Sequence, residues 1–301
     1  MHMTGVVAVL PTPFRAGGDV DLPSLARLVD LVVAAGVRGV AVLGTAGEAS
    51  RLSDSERLAV VDRVMAQVAG RVPVCVDTSA DGVRTCLEFS RQVKASGAAA
   101  VIISPPRAPR LGVESIVNHY RTVAEAIDLP IVVQDAPSQC GVSMDAALLV
   151  RIAVDVPAAR TIRLEDPPTS MRVARILAAA GGTRVTVFGG QGGLFLIEDL
   201  LAGAAGVFSA FAYPDVLVRV VSLFREGRVD EAVRAFHAVV PLMRFENQEG
   251  MGTAVRKEML RLRGIFSDAS TRAPGLMLDE HARVAIERLT IGWNRKSEVR
   301  S

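Results

Sequence analysis

The chain predicts a closed parallel β/α barrel, the (β/α)8 TIM barrel, with a helical appendix at its C-terminal end. Three observations lead there. Short Val- and Ile-rich runs alternate with longer stretches of helical period, eight times between residues 5 and 211. The strand runs are near-continuously apolar, as strands covered on both faces are. The helical stretches stop at Gly36, Gly70, Gly97, Gly181 and Gly203, where a left-handed cap ends a helix. An open doubly wound sheet is the competitor, but no GxGxxG opens the first helix, and eight repeats suit closure.

In order, GVVAVL (5–10) precedes the helical pattern LPSLARLVDLVVAAG (22–36), and GVAVLG (39–44) precedes DSERLAVVDRVMAQVAG (54–70). VPVCVDT (72–78) leads to GVRTCLEFSRQVKASG (82–97), and AAVIIS (99–104) to GVESIVNHYRTVAEAI (112–127). PIVVQD (130–135) is followed by SMDAALLVRIAV (143–154), and ARTIRL (159–164) by PTSMRVARILAAAG (168–181). RVTVFG (184–189) is followed by GGLFLIEDLLAG (192–203), and AGVFSAF (205–211) is the eighth strand. Asp54, Ser143 and Ser170 are the helix-start signals.

From residue 214 the strands cease. DVLVRVVSLFREG, VDEAVRAFHAVVPLMRF and GTAVRKEMLRLRGIF read as amphipathic helices. The expected division is a barrel over 1–213 and C-terminal helices over 214–301, with no low-complexity linker between them and hence one folding unit.

Composition bounds the function. Half of the residues are hydrophobic, 22% are charged and the net charge is +2, so neither a nucleic-acid nor a membrane-surface partner is indicated. The basic residues Arg256, Lys257, Arg261 and Arg263 fall at helical spacing, as on a solvated or interface face. Cys75, Cys86 and Cys140 are odd in number and lack close pairing, which argues against a disulfide framework or a zinc site. The start, MHMTG, lacks the basic-then-apolar pattern of a signal peptide. Even LVDLVVAAGVRGVAVLG carries Asp30 and Arg38, so no run reads as a membrane span. A soluble cytoplasmic protein is expected.

In such a barrel, chemistry sits at the C-terminal strand ends. These offer Thr12; Thr45 and Glu48 in GTAGE; Asp77, Thr78 and Ser79; Ser104; Gln134 and Asp135; Arg163, Glu165 and Asp166; GGQGG (189–193); and Ser209. GTAGE presents backbone N–H groups and a hydroxyl that suit a carboxylate or phosphate, or is a plain turn. GGQGG is open to the same two readings.

LPTPF, GTAGE, SPP, the Pro-containing turn after the fifth strand, GGQGGLFLIEDLLAGAAGVFSAF and VRKEMLRLRG occur in this order along nearly the whole chain. Together they resemble the dihydrodipicolinate synthase / N-acetylneuraminate lyase family. The resemblance implies an eightfold α/β barrel with C-terminal helices, commonly a homotetramer built as a dimer of dimers. It implies aldol cleavage or condensation, or dehydration, of 2-oxo acids, usually through pyruvate, with no cofactor. A lysine on the sixth strand forms the Schiff base, a tyrosine after the fifth relays protons, and the first threonine of the second-strand loop binds the pyruvate carboxylate.

Carried over residue by residue, Thr45 takes the place of that threonine and Ala46 that of the second. Gly44, Gly47, Glu48 and Pro137 match. The relay tyrosine falls on Gln134, its neighbouring asparagine on Asp135, and the synthase arginine on Gln139. The tyrosine pair after the fourth strand falls near Pro106 and Arg107. The Schiff-base lysine falls on Arg163. A guanidinium stays protonated, with a pKa above about 12 and delocalised lone pairs, so it cannot serve as the amine nucleophile. The lysines present, Lys94, Lys257 and Lys296, are off the strand ends, and so is Tyr120; Tyr213 follows the eighth strand outside the relay position. His2, His119, His237 and His281 are also off the strand ends, so no metal site is expected.

Two functional readings follow. One is a lyase that keeps the small-carboxylate pocket but works without an imine: Asp135 or Glu165 is the base, and Arg163 with Thr45 holds the carboxylate or enolate, with Gly44, Gly47 and Ser209 completing the substrate site. The other is a non-catalytic homologue that binds a small 2-oxo acid or serves in an assembly. A lysine-to-arginine variant of an active lyase also fits I-x-LEDPP. For Arg163 itself, a bidentate grip on a ligand carboxylate competes with an ion pair to Glu165, Asp166 or Asp135. True dihydrodipicolinate synthase activity is not expected, because the tyrosine and arginine equivalents are both replaced.

Overall fold

A computed structural model of the chain describes residues 3–108, 111–248 and 250–298. Eight parallel strands close into a barrel in sequence order: β1 (Gly5–Val9), β2 (Gly39–Val42), β3 (Val74–Asp77), β4 (Ala100–Ile103), β5 (Ile131–Asp135), β6 (Thr161–Leu164), β7 (Thr186–Gly189) and β8 (Gly206–Ser209). β8 pairs with β1, Val6 opposite Val207, which removes every sheet edge.

Each strand lies within the run that predicts it and ends one to two residues sooner, except β5, β6 and β7, which keep their predicted ends. The helices between them are α1 (Leu22–Ala34), α2 (Asp54–Val68), α3 (Val83–Ala95), α4 (Val113–Ile127), the short α5 (Pro137–Cys140), α6 (Ala146–Asp155), α7 (Thr169–Ala180) and α8 (Leu196–Leu201). The start signals differ from expectation. Ser53, not Asp54, caps α2, through a reciprocal capping box with Glu56. Asp145 rather than Ser143 accepts from the Leu148 N–H at the start of α6, and α7 starts at Thr169 after Pro168, before Ser170. For α2 and α6 the local apolar pattern leaves a one- or two-residue choice that the capping hydrogen bond decides; α7 has no side-chain cap.

After β8 come α9 (Pro214–Arg225), α10 (Val229–His237), α11 (Val240–Glu246), α12 (Gly252–Leu262) and α13 (Glu280–Glu298). α9 packs against β1 and so takes the position of the eighth barrel helix. The single helix expected over 229–245 is two, α10 and α11, because Pro241 lacks the N–H needed for continuation and sits in the first turn of α11. α12 and α13 pack on each other and on α11. Among the described residues no helix is long and apolar enough to cross a membrane.

Strand alternation sorts the barrel into an outer core and a lumen. Val7, Val9, Ala41, Cys75, Ala100, Ile102, Val132, Phe188 and Phe208 point inward and fill the lumen as a separate apolar cluster. Phe188 and Phe208 meet edge to face, their centroids 5.1 Å apart. Two residues further along the alternation, the lumen turns polar. Asp77, Ser104, Gln134, Arg163 and Glu165 stand at the mouth above an apolar floor.

Candidate active site

Arg163 points inward because its neighbours Ile162 and Leu164 belong to the outer core. Its guanidinium lies 5.1 Å above the Phe208 ring. One Nη donates to Gln134 Oε1 at 3.0 Å, and the other is ion-paired with Glu165. Of the uses the sequence leaves open for Arg163, the structure holds the pair with Glu165; Asp166 and Asp135 bond elsewhere. Gln134 passes the network on, donating from Nε2 to Ser104 Oγ at 3.0 Å. All four side chains are buried. Burying a charge here is tolerated because every charge has an opposite or polar partner.

Glu165 is clasped from the other side by GGQGG. Gln191, in the left-handed region at φ 51°, donates its backbone N–H to Glu165 Oε2 at 3.0 Å, and its side-chain amide bonds the Glu165 carbonyl. The anion that this glycine-rich turn holds is thus the protein's own carboxylate. Gly190 is needed for the approach: a Cβ there lies 2.5 Å from the Leu164 carbonyl and 2.7 Å from Glu165 Oε1.

Above this floor opens a cavity of about 640 Å3, walled by Thr45, Gln139 and Asp166 on the barrel side and by Asn247, Thr253 and Arg256 from the C-terminal helices. Thr45 donates to Gln139 Oε1 at 2.6 Å across the mouth. Asp166 accepts from the Ser138 N–H at 2.9 Å and its hydroxyl at 2.8 Å, tying α5 to the end of β6. Glu246 and Arg256 form a buried pair, Nη2 to Oε1 at 2.6 Å, beside the cavity.

Arg163, Gln134, Glu165 and Thr45 therefore gather at one cavity, whereas the other expected site residues lie apart. Asp135 faces outward by alternation, fully buried and ion-paired with Arg172 of α7. Burial pushes its pKa up to about 6 in spite of Arg172. It is not aimed at a ligand in the mouth and cannot act as its base. Ser209 donates its hydroxyl to the Gly192 carbonyl at 2.5 Å, and Gly192 rather than Ser209 lines the cavity. Gly47 packs inward, accepting at its carbonyl from Thr12 Oγ1 at 2.7 Å, and Gly44 lines a neighbouring chamber beside Asp77.

Lys257 is placed in a way its sequence context hides. Its amino group is fully buried, 4.1 Å from the Phe14 ring, donating to the Ser270 carbonyl at 2.9 Å and ion-paired with Glu48 of GTAGE. Burial lowers its pKa to about 8. Glu48, itself left-handed at φ 54°, also binds Arg51 Nη1 at 2.8 Å and the Arg272 N–H at 3.0 Å. The C-terminal region thus anchors the loop that carries Thr45. Lys94 pairs with Asp128 on the surface, and the Tyr120 hydroxyl donates to the Ile103 carbonyl at 3.1 Å, so neither reaches the mouth. Tyr213 is buried under the Arg263 guanidinium, 4.4 Å from it. His119 is buried on α4 against Tyr120. His2 and the side chain of Lys296 lie outside the described residues.

Comparison with known proteins gives a coherent picture. The sequence profile of the Dihydrodipicolinate synthetase family matches residues 2–290. The chain is 31% identical over 290 residues to L-2-keto-3-deoxyarabonate dehydratase of Azospirillum brasilense, covering 95% of this chain and 93% of that protein. It is 34% identical over 233 residues to 4-hydroxy-tetrahydrodipicolinate synthase of Pelobacter propionicus, covering 76% and 78%. The crystal structure of dihydrodipicolinate synthase from Rhodopseudomonas palustris matches with TM-score 0.90 at 35% identity, over 96% of this chain and 97% of that one. A prophage protein of the dihydrodipicolinic acid synthase family from E. coli K12, solved in complex with pyruvate, matches with TM-score 0.91 at 25% identity, over 97% and 98%. With profile, sequence and fold agreeing over almost its whole length, this protein belongs to the dihydrodipicolinate synthetase family.

Proposed function

We propose that the barrel mouth binds a small 2-oxo acid such as pyruvate without forming an imine and enolises it, as the first step of a lyase or aldolase reaction. The observation that carries this reading is Arg163, fixed between Gln134 and Glu165 at the position where the resemblance places the Schiff-base lysine. The imine's role is to accept an electron pair. A buried guanidinium does the same for an enolate oxygen by charge and hydrogen bonding, with no covalent bond. Glu165 takes the proton from C3, the C3–H electrons form the C2–C3 double bond, and the 2-oxo oxygen becomes an enolate facing Arg163. Thr45 at the rim supports the substrate carboxylate. The dehydratase from Azospirillum brasilense, named for a 2-keto-3-deoxy acid, and the pyruvate complex of the E. coli protein support the ligand class. The family resemblance likewise supports a cytoplasmic homotetramer; a monomer by light scattering at micromolar concentration refutes that part.

The test is deuterium exchange. Pyruvate or 2-oxobutanoate is incubated with the protein in D2O and the C3 hydrogens are followed by proton NMR, with a parallel sample reduced by borohydride and weighed. Exchange without a protein adduct is expected. An adduct on the unaltered chain refutes the imine-free route. Calorimetric binding without exchange moves the protein to a non-catalytic carboxylate binder, in which the Arg163–Glu165 pair is purely structural.

A further inference from the structure

Beside the main cavity lies a second chamber of about 360 Å3, and the two share Thr45, Arg51, Gln134 and Gln139. Its distinctive group is Asp77. Two residues beyond the lumen-facing Cys75, it ends β3 with its carboxyl directed into the mouth. Glu48, Asp135 and Glu165 are each tied to a basic side chain. Asp77 instead accepts from the Ser79 N–H at 3.0 Å and from the Ser79 hydroxyl. Ser79 Oγ accepts from the Ser104 N–H at 2.9 Å, Ser104 Oγ from Gln134, and Gln134 Oε1 from Arg163. An unbroken run of hydrogen bonds thus spans β3 to β6 and fixes Asp77 relative to Arg163. Among the described residues, the other charged groups facing the chamber are Glu48 and Arg51, paired with each other, and Asp81 and Arg107. Burial raises the Asp77 pKa, opposed by Ser79 and by the charges of Arg163 and Arg57. A carboxyl so placed, lacking a fixed counter-ion among the described residues and open to a chamber, is suited to gaining and losing a proton.

We propose that Asp77 is the acid–base group for the second reacting carbon, exchanging a proton with the C4 hydroxyl of a 4-hydroxy-2-oxo acid whose first three carbons lie at Arg163. This rests on the enolisation reading. In dehydration, Glu165 has taken the C3 proton; the enolate collapses to restore the 2-oxo group, the C3–C4 double bond forms, the C4–O bond breaks, and the Asp77 carboxyl supplies the proton that makes the leaving hydroxide water. In C–C cleavage, the Asp77 carboxylate takes the C4 hydroxyl proton, the C3–C4 bond breaks to an aldehyde, and its electron pair forms the enolate at Arg163, which Glu165 in its acid form then protonates. Both chambers are used at once, the chain of the substrate passing beside the Thr45–Gln139 bridge.

The probe is racemic 4-hydroxy-2-oxopentanoate, with cleavage followed as pyruvate release and dehydration as enone absorbance, alongside pyruvate exchange in D2O. The unaltered protein converts the probe. Asp77→Asn, compared at equal melting temperature, loses about a hundredfold or more in turnover, and its ratio of exchange to turnover rises about tenfold or more. Asp77→Glu, which keeps the carboxyl, recovers about a tenth of the rate. Asp77→Asn within about threefold of the unaltered protein overturns the proposal, as do equal losses in the Asn and Glu variants, or unaltered protein that exchanges pyruvate hydrogens but leaves the hydroxy acid intact. Each of these leaves enolisation standing. Absence of exchange in the unaltered protein removes both readings.

Discussion

Asp135→Asn is expected to stabilise the protein at neutral pH. Asp135 is fully buried behind β5, and although it is ion-paired with Arg172, its pKa stands at about 6 against an ordinary 3.8. Desolvation of the carboxylate outweighs the attraction of the guanidinium. Because the folded pKa lies above the unfolded one, the folded protein holds the extra proton between about pH 4 and pH 6, and this group's contribution falls as pH rises through that window. At about 1.4 kcal/mol for each pH unit of separation, keeping Asp135 charged at pH 7 costs about 3 kcal/mol. Asparagine has nearly the same shape and no charge to desolvate. Arg172 keeps its bond to the Met144 carbonyl at 3.0 Å, and its side chain, 19% exposed, reaches water. The variant should gain about 3 kcal/mol at pH 7, a rise of roughly 6 °C in melting temperature, and nothing at pH 3. Urea denaturation of both proteins from pH 3 to pH 8 measures this. A variant less stable than the unaltered protein at pH 7 shows that the Arg172 pair outweighs desolvation and refutes the reasoning.

Three further outcomes are expected. Glu48→Ala strands the fully buried Lys257 and frees Arg51 and the Arg272 N–H, so urea denaturation should show a loss of about 3 kcal/mol; a loss below about 1 kcal/mol contradicts the anchoring role. Gly190→Ala drives a methyl group into the Leu164 carbonyl and Glu165; it should cost about 2 kcal/mol and lower pyruvate exchange about tenfold or more, and exchange at the unaltered rate rules out Glu165 as base. Arg163→Lys supplies a primary amine at the floor; borohydride trapping of a pyruvate adduct on this variant, and not on the unaltered chain, is the expected mass-spectrometric result.

The barrel was legible because its signals are local. Continuous Val/Ile runs such as AVII in β4 and glycine stops such as Gly97 repeat at barrel spacing, and no distant partner is needed to read them. The position of Arg163 at a strand end was equally legible, since each strand run ends where the mouth begins. Strand alternation could also have separated Gln134 from Asp135, because adjacent residues on one strand face opposite sides. Without the direction of the sheet's inner face, both looked available, and only Gln134 is.

Sequence alone determined the eightfold β/α order, the polar residues at the strand ends, and the presence of a guanidinium at position 163. Tertiary structure decided what each of them faces. It made GGQGG, which the sequence left open between an anion loop and a plain turn, the clasp of Glu165, made Lys257 the buried anchor of GTAGE 209 residues away in sequence, and set Asp77 in a chamber linked to Arg163. The physical reason is that secondary structure follows from the spacing of neighbouring side chains. The partner of a charge depends instead on which strands closure of the barrel brings together, and no local pattern encodes that.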